Sequence, residues 1–214
     1  MVIQRIKLVN FRNILEASLD FSESFNFIYG LNAQGKTNLL EAIHFFSLGR
    51  SFRTHRRIDM IAFGQEYSYL SLSAKSDSGV GFEIEVGFDI GGSIKVKQNG
   101  RVLSGLSEII GLIPSVIFSP EDIALVAGGP RNRRLYLDYT WSQISAKFLS
   151  ELKSFRRALK QRNALLKGIS EGGSTDGLEE WNRLYIGSSV NVVRGRLNCV
   201  DTVSYTHLTL PTKA

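Results

Sequence analysis

The sequence predicts an α/β fold, and three observations predict it. A glycine-rich octapeptide at residues 30–37 lies between a short β-prone run and an apolar helical run. Further along, apolar and polar residues alternate over residues 80–90, which is typical of a strand with one buried face. Helical periodicity replaces this alternation from about residue 132 to residue 167. The predicted order is therefore strand, loop, helix, antiparallel meander and helical arm.

The octapeptide fills every fixed place of the GxxxxGK[ST] phosphate-binding loop. Its residues are Gly30, Leu31, Asn32, Ala33, Gln34, Gly35, Lys36 and Thr37. Glycines let the backbone wrap with its N–H groups inward, and the following helix adds partial positive charge. We expect Lys36 to reach the β- and γ-phosphates of a nucleoside triphosphate and Thr37 to bind Mg²⁺. The alternative, a glycine turn that happens to precede a lysine, is disfavoured by the strand-and-helix setting.

The strands are predicted from alternation and from turn residues. Residues 1–30 contain three candidates: the first residues, residues 15–22, and the apolar run 25–29 that enters the loop. The stretch from about residue 67 to residue 103 reads as an antiparallel meander, with a hairpin at Asn99-Gly100. Residues 116–118 are predicted to form a buried strand that ends the meander.

The helical arm is predicted from an apolar seam. Its members are Phe148, Leu152, Phe155, Leu159 and Leu166, with Arg162 interrupting the series. A Gly/Ser/Thr/Asp loop at residues 168–177 separates this helix from a second helical stretch at residues 178–198. Two helices joined by a polar loop suggest an αα-hairpin.

Composition indicates a globular protein with a polyanionic partner. The 214 residues are 43% hydrophobic, no apolar run approaches the ~20 residues that cross a bilayer, and residues 1–7 have no signal-peptide character. A single cysteine, Cys199, excludes an intrachain disulfide and fits a reducing cytosol, so we expect a cytoplasmic protein without membrane contact. The formal charge is +6, and residues 147–167 carry seven basic side chains against one acid.

Six segments together resemble the RecF family of SMC-like ATP-binding-cassette (ABC) ATPases. They are Asn10-Phe11-Arg12, residues 35–43, residues 49–54, residues 118–122, residues 129–138 and residues 162–166. The resemblance implies the first lobe of an ABC-ATPase head, at residues 1–130, followed by an incomplete helical second lobe at 131–198. Residues 199–214 resemble translated adapter sequence, so we expect a non-native tail and assign no function to Cys199 or His207.

What the resemblance implies is an ATP-dependent DNA-binding protein of recombinational repair, replication and the SOS response to DNA damage. Such proteins bind single-stranded gaps and duplex junctions, dimerise on ATP and act with recombination-mediator proteins. Arg12 is then expected near the nucleotide phosphates, the turn at residues 10–12 near the adenine, and Asn38 among the nucleotide-binding residues. Mg²⁺ accompanies the ATP.

Catalysis is predicted to need parts that this sequence lacks. An ABC head hydrolyses ATP with a Walker B strand ending in Asp-Glu and a signature loop from a second head. Neither occurs here, so we expect a weak DNA-dependent ATPase only in a longer protein. Residues 116–122 imitate Walker B, but Ser119 and Pro120 intervene, and the resemblance makes Glu121 and Asp122 part of a γ-phosphate-facing switch.

Basic residues in two places are candidates for DNA contact. They are Arg50, Arg53, Arg56 and Arg57 after the first helix, and Lys153, Arg156, Arg157 and Lys160 on the arm, where plain solvation is weighed equally. His44 is expected to be a packed histidine, and Asp138 to pair with Arg134. Two alternatives remain: a free-standing P-loop kinase or phosphotransferase with its second substrate near Glu121 and Asp122, and a structural coiled-coil protein with a vestigial loop.

Overall fold

The computed structural model describes residues 1–119 and 122–208, and for residues 204–208 the backbone alone. The chain divides into two compact units, Met1–Ile117 and Phe118–Ala214. The sequence places the start of the helical arm at residue 131, whereas the second unit also includes a short helix before that point. Each unit is described by itself.

The first unit contains a six-stranded antiparallel sheet in the order β2-β1-β3-β4-β5-β6. The strands are β1 (Val2–Phe11), β2 (Ile14–Asp20), β3 (Tyr67–Lys75), β4 (Gly81–Asp89), β5 (Ile94–Gln98) and β6 (Arg101–Val102). The predicted meander is confirmed. Asn99 and Gly100 both have positive φ, 49° and 78°, as the tight hairpin between β5 and β6 requires.

One helix, α1 (Lys36–Leu48), packs against one face of this sheet. The face is built by alternate residues such as Leu8 on β1, Leu70 on β3 and Val86 on β4, all fully buried. Phe45 and Phe46 of α1 are also fully buried against it. Because α1 is packed against this sheet face, the position of its first turn relative to the sheet is fixed. The phosphate loop leads directly into that turn.

Two predicted strands are wrong. Residues 25–29 and residues 116–118 have no strand structure, and Phe25, Phe27, Val116 and Phe118 are 75%, 75%, 91% and 93% exposed. A strand is stable only when another strand satisfies its backbone groups, and neither run is paired in the sheet. Strand propensity alone therefore gave the wrong assignment.

The strand predicted at residues 15–22 is present as β2, but it is not half-buried as expected. Leu15 and Leu19 remain 63% and 40% exposed. β2 lies at an edge of the sheet, where the apolar core that covers β1 and β3 no longer covers it. Alternation correctly predicted the strand and overestimated its burial.

The second unit is helical in its described residues. Its helices are α2 (Ile123–Ala127), α3 (Pro130–Ile144), α4 (Ala146–Ser170) and α5 (Leu178–Leu208). The periodicity predicted as continuous is interrupted at Ser145, whose hydroxyl accepts a hydrogen bond from Phe148 N at 3.1 Å and caps α4. A single serine thus divides the predicted helix.

α4 and α5 form the predicted αα-hairpin. Phe148 and Leu152 of the seam are 2% exposed and pack with Val192 of α5. Arg162 does not interrupt the packing: its Nε donates to Asn182 Oδ1 at 2.6 Å, and its guanidinium lies 5.3 Å from the ring centroid of Tyr185. The hairpin therefore uses a cation–π contact where the seam pattern lacked an apolar residue.

Two expectations about α3 and α5 are corrected. Asp138 is bound by Arg196 and Arg156, with Arg196 Nε donating to Oδ1 at 2.8 Å, rather than by Arg134. α5 continues to Leu208, beyond the expected end near residue 198. Cys199 is fully buried, and burial raises the pKa of its thiol, which disfavours the reactive thiolate form. The described helices include none with the combined length and hydrophobicity of a membrane-spanning segment.

Candidate functional site

The phosphate loop has the backbone geometry that its sequence predicts. Gly30, Ala33 and Gly35 have φ of 147°, 65° and 91°, in the region that favours glycine. Gly35 is the N-cap of α1 and no side chain caps the helix there. The first N–H groups of α1 thus have no intrahelical acceptor, and an anion placed at the loop satisfies them.

The side chain of Lys36 folds back onto the start of the loop. Its Nζ donates to Gly30 O and to Leu31 O, both at 2.7 Å. The ammonium group is therefore held by the first two residues of the loop. These carbonyl contacts are ones that a phosphate oxygen can replace.

Asn13, at the end of the turn after β1, supports the loop from outside. Its Nδ2 donates to Ala33 O at 2.8 Å, and its Oδ1 accepts from Asn38 Nδ2 at 2.6 Å. A Cβ at position 35 would lie 3.1 Å from Asn13 Oδ1. Gly35 is therefore required twice, for its positive φ and for this close approach. The two asparagines hold the crest of the loop to the first turn of α1.

A buried carboxylate on α1, Glu41, organises the arginines around the loop. Glu41 is fully buried and accepts hydrogen bonds from Arg12 Nε at 3.0 Å and Arg12 Nη2 at 2.6 Å. Arg53 Nη1 contacts the same carboxylate at 3.3 Å, and Ser51 Oγ also donates to it. We call Glu41, Arg12, Arg53 and Ser51 the Glu41 cluster. It satisfies a carboxylate that could not remain buried alone.

Residues 49–57, which we call the basic loop, follow α1 and are shaped by the Glu41 cluster. Ser51 Oγ accepts from Arg53 N at 2.9 Å and Thr54 N at 3.1 Å, which fixes the turn. A cleft of about 160 Å³ in this loop is lined by Arg50, His55 and Arg57 together with uncharged residues. Arg50 Nη2 lies 2.9 Å from His55 Nδ1. The cleft concentrates positive charge next to the phosphate-loop helix.

The structure brings several predicted residues together at the loop. Arg12, Asn38 and Arg53 join the phosphate loop in one polar network through the Glu41 cluster and Asn13. The guanidinium of Arg12 is engaged by Glu41 and by Asp59 O, at 2.5 Å. A direct contact between Arg12 and phosphate stays a prediction.

The predicted DNA-binding residues differ in how free their charges are. Arg56 lies 3.7 Å from Asp59, and Arg156 lies 3.6 Å from Asp138. Lys153, Arg157 and Lys160 lie on exposed positions of α4. These three are therefore the arm residues best placed for contact with a polyanion.

Other candidates have structural roles or lie outside the described residues. His44 is buried, with Nδ1 3.1 Å from Ser115 Oγ, and it makes an edge contact with Phe52. Asp122 Oδ2 accepts from Ser119 N at 2.6 Å, whereas Pro120 and Glu121 of the predicted switch lie outside the described part of the chain. Within that part, no group of three or more metal-ligating side chains occurs.

Sequence reasoning missed Asn13, Glu41 and Ser51. The signal for Glu41 was available, because it lies beside Leu39 and Ala42 in the apolar stripe of α1. A lone acid in such a stripe must find a cationic partner. Asn13 and Ser51 offered no comparable signal, since their partners are distant in sequence or belong to the backbone.

A family model for the RecF/RecN/SMC N terminal domain matches residues 2–158. DNA replication and repair protein RecF of Caldanaerobacter subterraneus subsp. tengcongensis is 42% identical over 180 residues, which cover 84% of this chain and 50% of that protein. RecF of Chlamydia abortus is 43% identical over 167 residues, which cover 78% of this chain and 45% of that protein. The chain thus spans about half the length of the curated relatives it matches.

Solved structures agree with the sequence comparisons. The structure of the recombination mediator protein RecF with ATP in the RecFOR pathway has a TM-score of 0.88 and 39% identity, covering 94% of this chain and 54% of that one. A structure from work on SMC ATPases, at 23% identity and a TM-score of 0.54, shares the fold. The predicted ABC-ATPase lobe is confirmed. The chain belongs to the RecF/RecN/SMC family, and within it to the RecF branch.

Proposed function

We propose that the chain binds ATP at residues 30–37 as part of a RecF-type DNA-repair ATPase. It supplies one half of the nucleotide site, the half-site, and the signature loop of a second head supplies the other half. The observation that carries this proposal is the loop itself, with positive φ at Gly30, Ala33 and Gly35 and Lys36 folded across it. The solved structure of RecF with ATP, a relative with 39% identity to this chain, supports the proposal. On binding, the Lys36 ammonium exchanges its two carbonyl contacts for the β- and γ-phosphate oxygens.

Mg²⁺ fits this half-site with one protein ligand. Thr37 is the first residue after Lys36 in α1, and its hydroxyl is a hard oxygen ligand of the kind Mg²⁺ prefers. Mg²⁺ retains waters and uses substrate phosphates for most of its coordination, so it needs no cage of carboxylates. The ion neutralises charge on the phosphates.

The proposed polyanionic partner is DNA, bound through phosphates. The exposed Lys153, Arg157 and Lys160 and the basic loop supply cations of the kind that contact phosphate groups, which favours binding to the DNA backbone. Preference for single-stranded gaps and duplex junctions, dimerisation on ATP, and action with recombination-mediator proteins belong to the same proposal. The antiparallel sheet argues against the kinase alternative, which uses parallel βαβ units.

Nucleotide binding is tested by calorimetry with ATP and Mg²⁺ on the full chain and on Lys36→Ala. Removal of the ammonium should weaken ATP by at least about a hundredfold, since a charge-assisted contact to each of two phosphates is lost. Lys75→Ala, at an exposed position of β3, is the matched control. Equal affinity in Lys36→Ala and the control would contradict the proposal.

DNA binding is tested by a salt series on a gapped duplex. Backbone contact predicts that log Kd rises linearly with log salt concentration. Replacing Lys153, Arg157 and Lys160 together by alanine should weaken binding and reduce that slope by roughly two to three. An unchanged slope would show that these three residues of the arm do not contact the DNA backbone.

A further inference from the structure

Glu41 occupies an unusual electrostatic position. Among the described residues of the first unit it is the only buried carboxylate, and two guanidinium groups bind it. The cluster therefore keeps one excess positive charge. Asn38 and Thr37 precede Glu41 by three and four positions, so all three lie on one face of α1. The excess charge is thus next to the first turn of the helix that follows the phosphate loop.

A continuous chain of hydrogen bonds joins this charge to the loop. Arg53 Nη1, which contacts Glu41, also donates to Asn38 Oδ1 at 2.7 Å. Asn38 in turn donates to Asn13, and Asn13 donates to Ala33 O in the crest of the loop. Each side chain between Glu41 and the loop is hydrogen-bonded on both sides, so Glu41 and the loop belong to one continuous network.

We propose that Glu41 is a positioning residue for the γ-phosphate: it holds Arg12 and Arg53 together beside the phosphate loop, so that their net positive charge favours ATP over ADP. The inference rests on the proposed nucleotide binding. Without the carboxylate the net charge of the cluster would rise, but the two guanidinium groups would repel each other and lose their common anchor. Glu41 therefore supplies the placement of the charge and not its amount. With Glu41 in place, the two groups stay close, and the additional negative charge that distinguishes ATP from ADP meets a preset positive field.

The test compares ATP and ADP affinity in Glu41→Gln, which keeps the size of the side chain and removes its charge. We expect ATP to bind about tenfold more weakly while ADP stays within about twofold, because one positioned charge contact distinguishes the two nucleotides. Glu66→Gln, at an exposed position of the same unit, is the control. Equal weakening of both nucleotides, or of neither, in a folded variant would overturn the inference.

A second variant protects the test against misfolding. Arg53 is 45% exposed, and Arg53→Gln leaves the paired contact between Arg12 and Glu41 in place. It should also lower the preference for ATP, and the double variant with Glu41→Gln should lose less than the sum of the single losses, because both act through one contact. Full additivity would show that Glu41 does not act through Arg53 and would count against the proposal.

The two proposals fail in different ways. If the unmodified chain binds neither nucleotide, the proposed function is wrong and the positioning role is lost with it. If the unmodified chain binds ATP and Lys36→Ala does not, while Glu41→Gln keeps the full preference for ATP over ADP, then only the positioning role is wrong.

Discussion

Two buried carboxylates in this chain, Glu41 and Asp138, have almost the same chemistry. Glu41 binds Arg12 and Arg53, and Asp138 binds Arg196 and Arg156. The Glu41 side chain is 0% exposed and that of Asp138 is 5% exposed. In each cluster one arginine makes a paired contact and the other a single longer one.

The two clusters differ in what surrounds them. Asp138 joins three helices, because its partners lie on α4 and α5 while it lies on α3. Glu41 lies on the phosphate-loop helix, and its cluster reaches the loop through Asn38 and Asn13. A carboxylate shared by two arginines therefore does not by itself indicate a functional site. The groups to which the arginines are further connected decide its role.

Loss of the Asp138 carboxylate should have the largest effect and should affect stability alone. Asp138→Ala leaves Arg196, whose side chain is 18% exposed, without its partner. Breaking a buried pair in this way costs about 3–5 kcal/mol of unfolding free energy. Denaturant unfolding measures the loss, with Asp176→Ala in the exposed α4–α5 loop as control. A folded Asp138→Ala with weaker ATP binding would contradict the contrast between the two clusters.

The two arginines of the Asp138 cluster should contribute unequally. Arg196 makes two contacts, at 2.8 and 3.1 Å, and is mostly buried, so Arg196→Gln should cost about 1.5–3 kcal/mol. Arg156 lies 3.6 Å away and is 50% exposed, so Arg156→Gln should cost less than about 1 kcal/mol. Equal losses in denaturant unfolding would mean that the longer contact is as strong as the paired one.

Asn13 offers a smaller test of the connection that only the Glu41 cluster has. Asn13→Ala removes the hydrogen bond to Ala33 O and should weaken ATP by several-fold, corresponding to about 1 kcal/mol for one hydrogen bond. Asn163→Ala, exposed on α4, is the control and should leave ATP affinity unchanged. If Asn13→Ala binds ATP normally, the loop does not depend on this support.

The parts of this structure that local sequence determines could be predicted. The phosphate loop, α1 and the Asn99-Gly100 hairpin depend on glycine conformation and on neighbouring residues. Residues 25–29 are as rich in β-prone residues as the strands that do form, yet they form no strand. Strand formation also requires a neighbouring strand, and that strand is supplied by residues distant in sequence. Strand propensity therefore shows which segments are able to form a strand, and pairing with another strand determines which of them do.

From residue patterns alone the site was predictable only in its contiguous part, and Arg12 and Asn38 were expected there only because of the family resemblance. The octapeptide is recognised from eight consecutive residues. Arg12 and Glu41, in contrast, are 29 residues apart and Asp138 and Arg196 are 58 apart, so local spacing does not reveal these pairs. The nearer cation, Arg134, was the reasonable partner for Asp138 from helical spacing. Tertiary packing selected Arg196 instead, and no local pattern carries that information.

An exposed pair, Arg5 and Asp20, completes the comparison and should have the smallest effect. Arg5 Nε donates to Asp20 Oδ1 at 2.6 Å between β1 and β2, with both side chains in solvent. This hydrogen bond and, to a lesser extent, the charge of Arg5 hold the pKa of Asp20 below its usual value. Because the folded pKa is the lower one, the contribution is complete above the unfolded pKa and is lost as pH falls through the folded pKa.

The measurement is unfolding free energy between about pH 2 and pH 6, the range in which aspartate titrates. Asp20→Asn should flatten the acid side of the profile slightly and leave stability at pH 6 almost unchanged, because solvent screens an exposed pair. Added salt should reduce the difference further. A loss as large as that of Asp138→Ala would mean that burial is not what separates the strong clusters from the weak pair.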